Sequence, residues 1–283
     1  MSVDDLEDNL ALNVSDNEKQ EEQIISSENQ ITDNKRKLES EDGQEEKKVS
    51  KKAKTNKNAS NNLSTDPEFI KSFSVLPLEQ VVQYFNVNLK KADSDASERP
   101  FLFSKNDFKD TSTFPINDRK LPNFNKFLTT FINQRDAKTK TIIVSATNIR
   151  VADIHRAIHL DLQEGDKTLK GIKLFNKNKL KQDIETLVNI SKSKDDKYKN
   201  VKNYITTPTR LLTLLETLGQ DKKHNSLWLK DKSKLDVVID CQFMINSNKN
   251  VNILNDFQTV YKLLDLMKEL KQIKGNSLRI ILY

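Results

Sequence analysis

Cysteine and glycine are scarce in this chain of 283 residues, and long apolar runs are absent. The single cysteine, Cys241, excludes a disulfide within the chain and favours a reducing compartment. No stretch approaches the roughly 20 apolar residues that a membrane-spanning helix requires. The acidic start, MSVDDLEDNL, lacks the apolar core of a secretory signal peptide. We therefore expect a soluble, intracellular protein with no membrane partner.

Aromatic residues are missing from residues 1–66, and the net charge of this segment is opposite to that of the rest. The segment holds 10 Lys or Arg and 16 Asp or Glu, a net charge of −6, whereas the whole chain carries +6. The remaining residues therefore carry +12. So polar a segment cannot bury a core, and residues 1–66 are predicted to be disordered. The basic remainder suits a polyanionic partner, although a merely solvated basic surface would have the same composition.

Two basic clusters within this tail are separated by an acidic spacer, which is the pattern of a bipartite nuclear localisation signal. The clusters consist of Lys35, Arg36, Lys37, Lys47, Lys48, Lys51, Lys52 and Lys54. The alternative is a solvated run of charge that no receptor binds. Because a signal in a flexible segment is accessible to its receptor, we favour the nuclear interpretation.

Residues 67–135 are predicted to form a helical and irregular N-terminal arm. Apolar residues at helical spacing predict helices within 69–92 and over 121–134. Residues 101–120 carry several phenylalanines among polar residues, without a period; these are Phe101, Phe103, Phe108 and Phe114. We expect the rings to be buried anchors, and the alternative is that they stack on nucleic-acid bases.

Residues 136–283 alternate short apolar runs with amphipathic stretches, which is typical of a parallel sheet covered by helices on both faces. The predicted strands are 141–146, 171–175, 201–206, 235–240 and 278–282. The predicted helices are 149–162, 177–191, 208–218 and 252–274, and Gly275 is placed to end the last of them. The predicted fold class is therefore α/β, in which ligands bind at the carboxyl ends of the strands.

The stretch 202–218, KNYITTPTRLLTLLETL, combines a strand, a sharp turn and a helix. Thr207 is a good N-cap residue, and Pro208 suits the first helical position, where a missing N–H costs nothing. The N-terminus of a helix attracts anions, yet Arg210 places a cation in the first turn. A phosphate bound at this turn would offset the unfavourable placement of Arg210.

The order of these motifs resembles the first RecA-like domain of DEAD-box RNA helicases. Residues 142–154, IIVSATNIRVADI, are similar to the helicase segment Pro-Thr-Arg-Glu-Leu-Ala, with Ala146 and Asn148 in place of its proline and arginine. Residues 207–210, TPTR, and the following LLTLLE resemble Thr-Pro-Gly-Arg followed by LLDLLE. Residues 240–243, DCQF, stand where the helicases have Asp-Glu-Ala-Asp. The resemblance implies a RecA-like fold of the P-loop-NTPase class.

The catalytic parts of that family are not found in the sequence. A phosphate-binding loop needs glycines that let consecutive backbone N–H groups face the phosphates, followed by a lysine. None of the five glycines precedes a lysine, and none lies between 101 and 141, where the loop would belong. Cys241 replaces the acid that would orient the attacking water, and the resemblance, over about 141–283, includes no second domain with its arginine finger. We expect neither ATP hydrolysis nor a cofactor, because phosphoryl transfer depends on such positioning.

A narrower resemblance covers most of the chain. An acidic head, a Lys-rich segment and a truncated helicase-like domain with IIVSATNIRVADIHRAI and ITTPTRLLTLLE look like the complementation-of-MCM-suppressor family. That family is associated with the U3-containing small-subunit processome. The resemblance implies a non-catalytic assembly factor of the 90S pre-ribosome in the nucleus and nucleolus. The implied partners are pre-ribosomal proteins and pre-rRNA or U3 snoRNA, with no small-molecule substrate.

The helicase segments retained here hold RNA phosphates in the DEAD-box family. By resemblance, a groove for the RNA backbone would be lined by Thr147, Asn148, Arg150, Thr207, Thr209 and Arg210. Two helix N-termini beside a basic surface suit phosphates, and such contacts carry no base code. The alternative is that these turns only cap helices and that the groove is vestigial.

Two other functions remain open. One is a nuclear protein-interaction module in DNA replication or transcription, which would use the basic domain as a docking surface. The other is an ATP-dependent RNA enzyme completed by a partner chain, and the missing phosphate loop argues against it.

Other chemically active residues do not form a site in the sequence, and no catalytic residue is assigned. His155 and His159 could share a helix face, but they lack the glutamate of HExxH and a cysteine partner, so no metal site is expected. Cys241 has no obvious base and is expected to be a small buried residue. Asp240 could bind Mg²⁺, but a local hydrogen bond is the more common use. Trp228 is expected to pack under the fourth strand.

Overall fold

The computed structural model describes residues 67–92, 102–132, 139–160, 171–192, 201–220 and 233–283. All of them lie within one compact unit, Asn56–Tyr283. The predicted disordered tail, the localisation signal and Trp228 fall outside the described residues. Within the described ranges, no helix combines the length and the apolar character that crossing a membrane requires.

The described part of the chain contains one sheet of six parallel strands. The strands are β1 Phe108–Lys109, β2 Lys140–Val144, β3 Gly171–Leu174, β4 Asn203–Thr206, β5 Leu235–Ile239 and β6 Leu278–Leu282. Their order across the sheet is β1-β6-β5-β2-β4-β3. Val144, the last residue of β2, lies beside Thr206 of β4 and Ile239 of β5. Three strands therefore end side by side in the middle of one edge, which we call the carboxyl edge.

Helices cover both faces of this sheet. They are α1 Pro67–Ser72, α2 Leu78–Ala92, α3 Phe124–Phe131, α4 Asn148–Leu160, α5 Leu180–Lys192, α6 Pro208–Gln220 and α7 Phe257–Lys274. Successive strand residues point to opposite faces, so the sheet has two cores. Helices α3 and α4 pack on one face, against Ile143 and Val238. Helices α2, α6 and α7 pack on the other, against Ile142 and Val237. The predicted α/β class with a parallel sheet is confirmed.

Two helices begin later than the sequence predicts because turns precede them. Helix α5 begins at Leu180, since residues 175–178 form a turn in which the Asn178 N–H donates to the carbonyl of Phe175 at 3.0 Å. Helix α7 begins at Phe257, where the Asp256 carboxylate accepts a hydrogen bond from the backbone N–H of Thr259 at 3.0 Å. Both predictions extended the helices into turns that are not helical.

Gly275 ends helix α7, as predicted. Its φ of +53° is in the left-handed region, which glycine adopts without the steric cost that a Cβ atom brings. Helix α3 is shorter than the predicted 121–134, because a 3-10 turn over Leu121–Asn123 leads into it. Residues 133 and 134 lie outside the described residues.

The edge strand β1 is missing from the sequence prediction. Phe108 and Lys109 pair with Ile280 and Ile281 of β6, so the predicted irregular arm contributes a strand to the sheet. A strand of two residues is too short for an alternating pattern to reveal it. Phe103, Phe108 and Phe114 are buried, so these rings are anchors and are not exposed for base stacking. Phe101 lies outside the described residues.

Candidate nucleic-acid interface

The candidate interface lies at the carboxyl edge, where β2, β4 and β5 end together. The backbone N–H of Ser145, just after β2, donates to the carbonyl of Thr206 at 3.0 Å. The N–H of Asp240, just after β5, donates to the carbonyl of Val144 at 2.9 Å. These ladder bonds continue the sheet beyond its strands and hold the three following loops side by side. The predicted site residues on these loops are therefore brought together.

Helices α4 and α6 both begin at this edge with a threonine cap. The Thr147 hydroxyl accepts a hydrogen bond from the Arg150 N–H at 3.2 Å, and the Thr207 hydroxyl accepts one from the Arg210 N–H at 3.4 Å. Pro208 is the first residue of α6, so the predicted cap and proline positions are confirmed. The two caps satisfy one N–H group in each first turn.

The remaining N–H groups of these two first turns have no partner among the residues that the structure describes. Within the described part of the chain, no hydrogen bond uses the backbone N–H of Asn148, Ile149 or Thr209. Asn148 is partly exposed and Thr209 is exposed, so these donors and side chains reach solvent. Thr147 is half-buried and Thr207 is buried, since both act as caps. The arrangement can offer neutral hydrogen-bond donors to an anion.

Arg150 points inward and binds Asp240. Its Nε donates to the Asp240 carboxylate at 2.8 Å, and the Ser145 hydroxyl donates to the same carboxylate at 3.2 Å. The guanidinium also stacks over the Phe243 ring, 5.1 Å from its centroid. Asp240 is fully buried and Arg150 is 8% exposed. The charge of each is therefore already matched within the protein.

Arg210 is also matched internally, by Asp183 of α5. Its guanidinium donates to the Asp183 carboxylate at 2.6 and 3.0 Å, and to the carbonyl of Asn178 at 2.8 Å. Arg210 is 8% exposed. The cation in the first turn of α6 is thus offset by a carboxylate of the neighbouring helix. A contact between Arg210 and RNA stays a prediction.

The loop after β1 is folded around Arg119, within the region 101–141 where the resemblance places the phosphate loop. The guanidinium donates to the carbonyls of Leu282 and Phe114 at 2.7 and 3.0 Å, and to the carbonyl of Thr111. It also lies over the Phe127 ring, 5.3 Å from the centroid. Burial lowers the pKa of Arg119 to about 10, so the side chain remains a cation at neutral pH. This loop directs carbonyl oxygens at a cation, whereas a phosphate loop directs N–H groups at an anion.

His155 and His159 share one face of α4, as their spacing predicts. Their rings stack with centroids 4.1 Å apart, and His159 Nδ1 lies 2.7 Å from the His155 carbonyl oxygen. Burial lowers the pKa of His155 to about 4, and the neighbouring His159 and Lys173 add to the effect. Among the described residues, no group of three or more His, Cys, Asp or Glu side chains could hold a metal ion.

Cys241 is fully buried, as predicted for a small apolar residue. Burial and the neighbouring Asp240 raise the pKa of its thiol well above the usual range, so the reactive thiolate is disfavoured. The backbone N–H of Cys241 donates to the carbonyl of Tyr283 at 3.0 Å, and its carbonyl accepts from the Asn252 side chain. Cys241 therefore anchors the loop after β5.

One group of basic residues at the carboxyl edge was not among the candidate site residues predicted from the sequence. Lys177, Lys179 and Lys181 lie in the turn after β3 and at the start of α5, and all three are exposed. This turn adjoins α4, because the N–H of Asn176 donates to the side-chain oxygen of Asn148 at 3.3 Å. The alternating lysines are visible in the sequence, but the sequence does not show that they adjoin the predicted site.

The chain is similar to Protein CMS1 of Saccharomyces cerevisiae, with 30% identity over 211 residues. The matched region is 72% of this chain but only 65% of CMS1, so it spans less than two thirds of that relative. No family model matches the chain. No solved structure gives a significant match. The match to CMS1 supports the resemblance of the sequence motifs to the complementation-of-MCM-suppressor family.

Proposed function

We propose that the protein is a non-catalytic nucleolar assembly factor of the small-subunit processome, the 90S pre-ribosome. In this role the carboxyl edge contacts the backbone of pre-rRNA or U3 snoRNA, or neighbouring assembly proteins. The observation that carries the proposal is the pair of capped helix starts at adjacent strand ends, where Asn148, Ile149 and Thr209 offer unused N–H donors. Such donors can bind phosphate oxygens without reading base sequence. The similarity to CMS1 supports the assembly role.

Two buried arginines, Arg150 and Arg119, support the absence of catalysis in this proposal. Nucleotide hydrolysis in a helicase-like domain needs a carboxylate for magnesium and N–H groups for phosphates. The carboxylate of Asp240 is bound by Arg150, and the loop after β1 is filled by Arg119. A nucleotide would have to displace both cations from buried positions. The ATP-dependent alternative is therefore disfavoured.

A protein-interaction module remains a second candidate, because apolar side chains are exposed near the starts of two helices. Ile149 is 75% exposed at the start of α4, and Phe257 is 74% exposed at the start of α7. These two side chains could each anchor a docked partner, although single exposed apolar residues are also normal on protein surfaces. They suit the contact with assembly proteins in our proposal, and they would equally suit a partner in replication or transcription.

The proposal predicts that the tagged chain co-sediments with early small-subunit precursors in a gradient of nuclear extract. The peak should coincide with U3 snoRNA and with unprocessed pre-rRNA. Depletion of the protein should lower the amount of mature small-subunit RNA and leave the large-subunit RNA unchanged. A chain that remains in the free fractions, or that sediments with chromatin after nuclease-free lysis, would contradict the proposal and favour the replication or transcription module.

A further inference from the structure

The turn after β3 forms a concentrated basic surface, which we call the lysine turn and define as residues 176–181, NKNKLK. Its three lysines are exposed, and within the described ranges no carboxylate lies within ion-pair distance of their ammonium groups. The first acid that follows, Asp183, is buried and bound by Arg210. The positive charge of the turn is therefore not matched by any carboxylate among the residues that the structure describes.

The lysine turn is held in a fixed position by polar contacts, most of them partly buried. The side chain of Asn178 donates to the Asp183 carboxylate at 2.8 Å, and its carbonyl accepts from Arg210 at 2.8 Å. The N–H of Asn176 donates to Asn148 at 3.3 Å, which ties the turn to the start of α4. Arg210 and Asp183 therefore act as positioning residues that place the lysines beside the starts of α4 and α6. A preorganised surface loses less conformational entropy when it binds a partner.

The position of the lysines is unfavourable without an anion. Lys179 directly precedes helix α5, and Lys181 lies in its first turn. Cations at this end of a helix are disfavoured by the helix dipole. Since Asp183 is already bound by Arg210, it cannot offset this placement. An external anion that contacts the turn would offset the unfavourable placement of the lysines.

We propose that the lysine turn supplies the cations that hold the phosphate backbone of RNA at the carboxyl edge, in place of Arg150 and Arg210. This inference rests on the proposed function and identifies the charged residues of that interface. Lys177 and Lys179 contact successive phosphates, and Asn148 and Thr209 donate to the phosphate oxygens beside them. The four residues from Asn176 to Lys179 are all polar, so the turn lacks the apolar anchors that a protein partner uses.

The test compares the full-length chain with the double variant Lys177→Glu/Lys179→Glu in binding a fluorescent 20-nucleotide uridine RNA at several salt concentrations. We expect the wild type to bind and the variant to bind at least about tenfold more weakly at low salt. The slope of log affinity against log salt should fall by about 1.4, because two contacts to single-stranded phosphates are lost. The melting temperature should not fall, since glutamates suit the start of a helix.

A matched control variant reverses the charge of two lysines at the opposite edge of the same sheet. Lys202 and Lys234 precede β4 and β5, so Lys202→Glu/Lys234→Glu changes the net charge equally and should leave the RNA affinity within about twofold. Equal losses in both variants would overturn the inference, because they would reflect net charge alone. Wild-type binding with an unaffected lysine-turn variant would overturn the inference and leave the proposed function standing.

Two further outcomes separate the possible partners. If the wild type does not bind RNA even at low salt, both the inference and the RNA contact of the proposed function are wrong. An acidic polyglutamate peptide serves as the competing macromolecule. If the lysine-turn variant loses affinity for this peptide and keeps its affinity for RNA, the turn is a protein-docking surface and the inference is overturned.

Discussion

The substitution Asp240→Ala is expected to lower the free energy of unfolding by about 3–5 kcal/mol, because it leaves the guanidinium of Arg150 buried without its carboxylate. The Arg150–Asp240 pair has an Nε–Oδ2 distance of 2.8 Å, and the aspartate side chain is completely inaccessible to solvent. Ser145 would lose its hydrogen-bond acceptor as well. For a domain of this size the loss corresponds to a fall in Tm of about 10 °C. Thermal and urea unfolding measure it.

An ion pair on the surface of α4, the helix that carries Arg150, provides the control for Asp240→Ala. Asp153 pairs with Arg156, whose side chain is 71% exposed, so Asp153→Ala should cost less than about 1 kcal/mol. The double variant Asp240→Ala/Arg150→Met should regain part of the stability, because it removes the unpaired cation. If Asp240→Ala leaves stability unchanged and abolishes a measurable ATP turnover, then Asp240 is catalytic and the proposed absence of catalysis is wrong.

The substitution Arg119→Ala is expected to destabilise the protein by about 3–5 kcal/mol, because it removes several buried hydrogen bonds from a charged donor and leaves the Phe114 carbonyl without a donor. The carbonyls of Thr111, Phe114 and Leu282 converge on the guanidinium, and an unsatisfied buried polar group costs about 1–3 kcal/mol. The contact with the Phe127 ring is lost as well. Urea unfolding followed by fluorescence and by circular dichroism measures the change.

Two comparisons show whether the geometry of Arg119 matters beyond its charge. Arg119→Lys keeps the charge but cannot reach three separate carbonyls with a planar fork, so an intermediate loss is expected. Guanidinium chloride at low millimolar concentration should raise the Tm of Arg119→Ala and should leave that of the wild type unchanged. The exposed Arg156→Ala is the control. A stable Arg119→Ala variant that binds ATP with Mg²⁺ would contradict the view that Arg119 fills a former phosphate loop.

Local chemistry made much of the fold predictable from the sequence. The start of α6 was predictable because a threonine cap and a first-position proline are set by neighbouring residues, and Thr207 and Pro208 take these positions in the structure. The alternation of apolar runs with helical spacing identified five of the strands, because each is long enough to be buried on both sides. The two-residue β1 carries no such pattern, and its pairing with β6 joins residues far apart in the sequence.

The sequence predicted where the candidate site lies, but not which of its charged side chains are paired within the protein. The sequence placed Thr147 and Thr207 at strand ends, and parallel pairing brings those ends together. The sequence could not show that Arg210 faces Asp183, since the two residues lie 27 positions apart on different helices. The pairing of Arg150 with Asp240, 90 residues away, was hidden for the same reason. With both arginines bound internally, the lysines after β3 are exposed cations that remain available beside the two helix starts.

Ultraviolet crosslinking in living cells, followed by identification of the crosslinked peptides and RNAs, tests the central claim most directly. We predict that the chain crosslinks to pre-rRNA or U3 snoRNA, and that the crosslinked peptides contain residues 147–149, residues 176–181 or Thr209. Absence of crosslinked RNA, or crosslinks confined to residues far from the carboxyl edge, would contradict the proposal that this edge of the sheet contacts RNA.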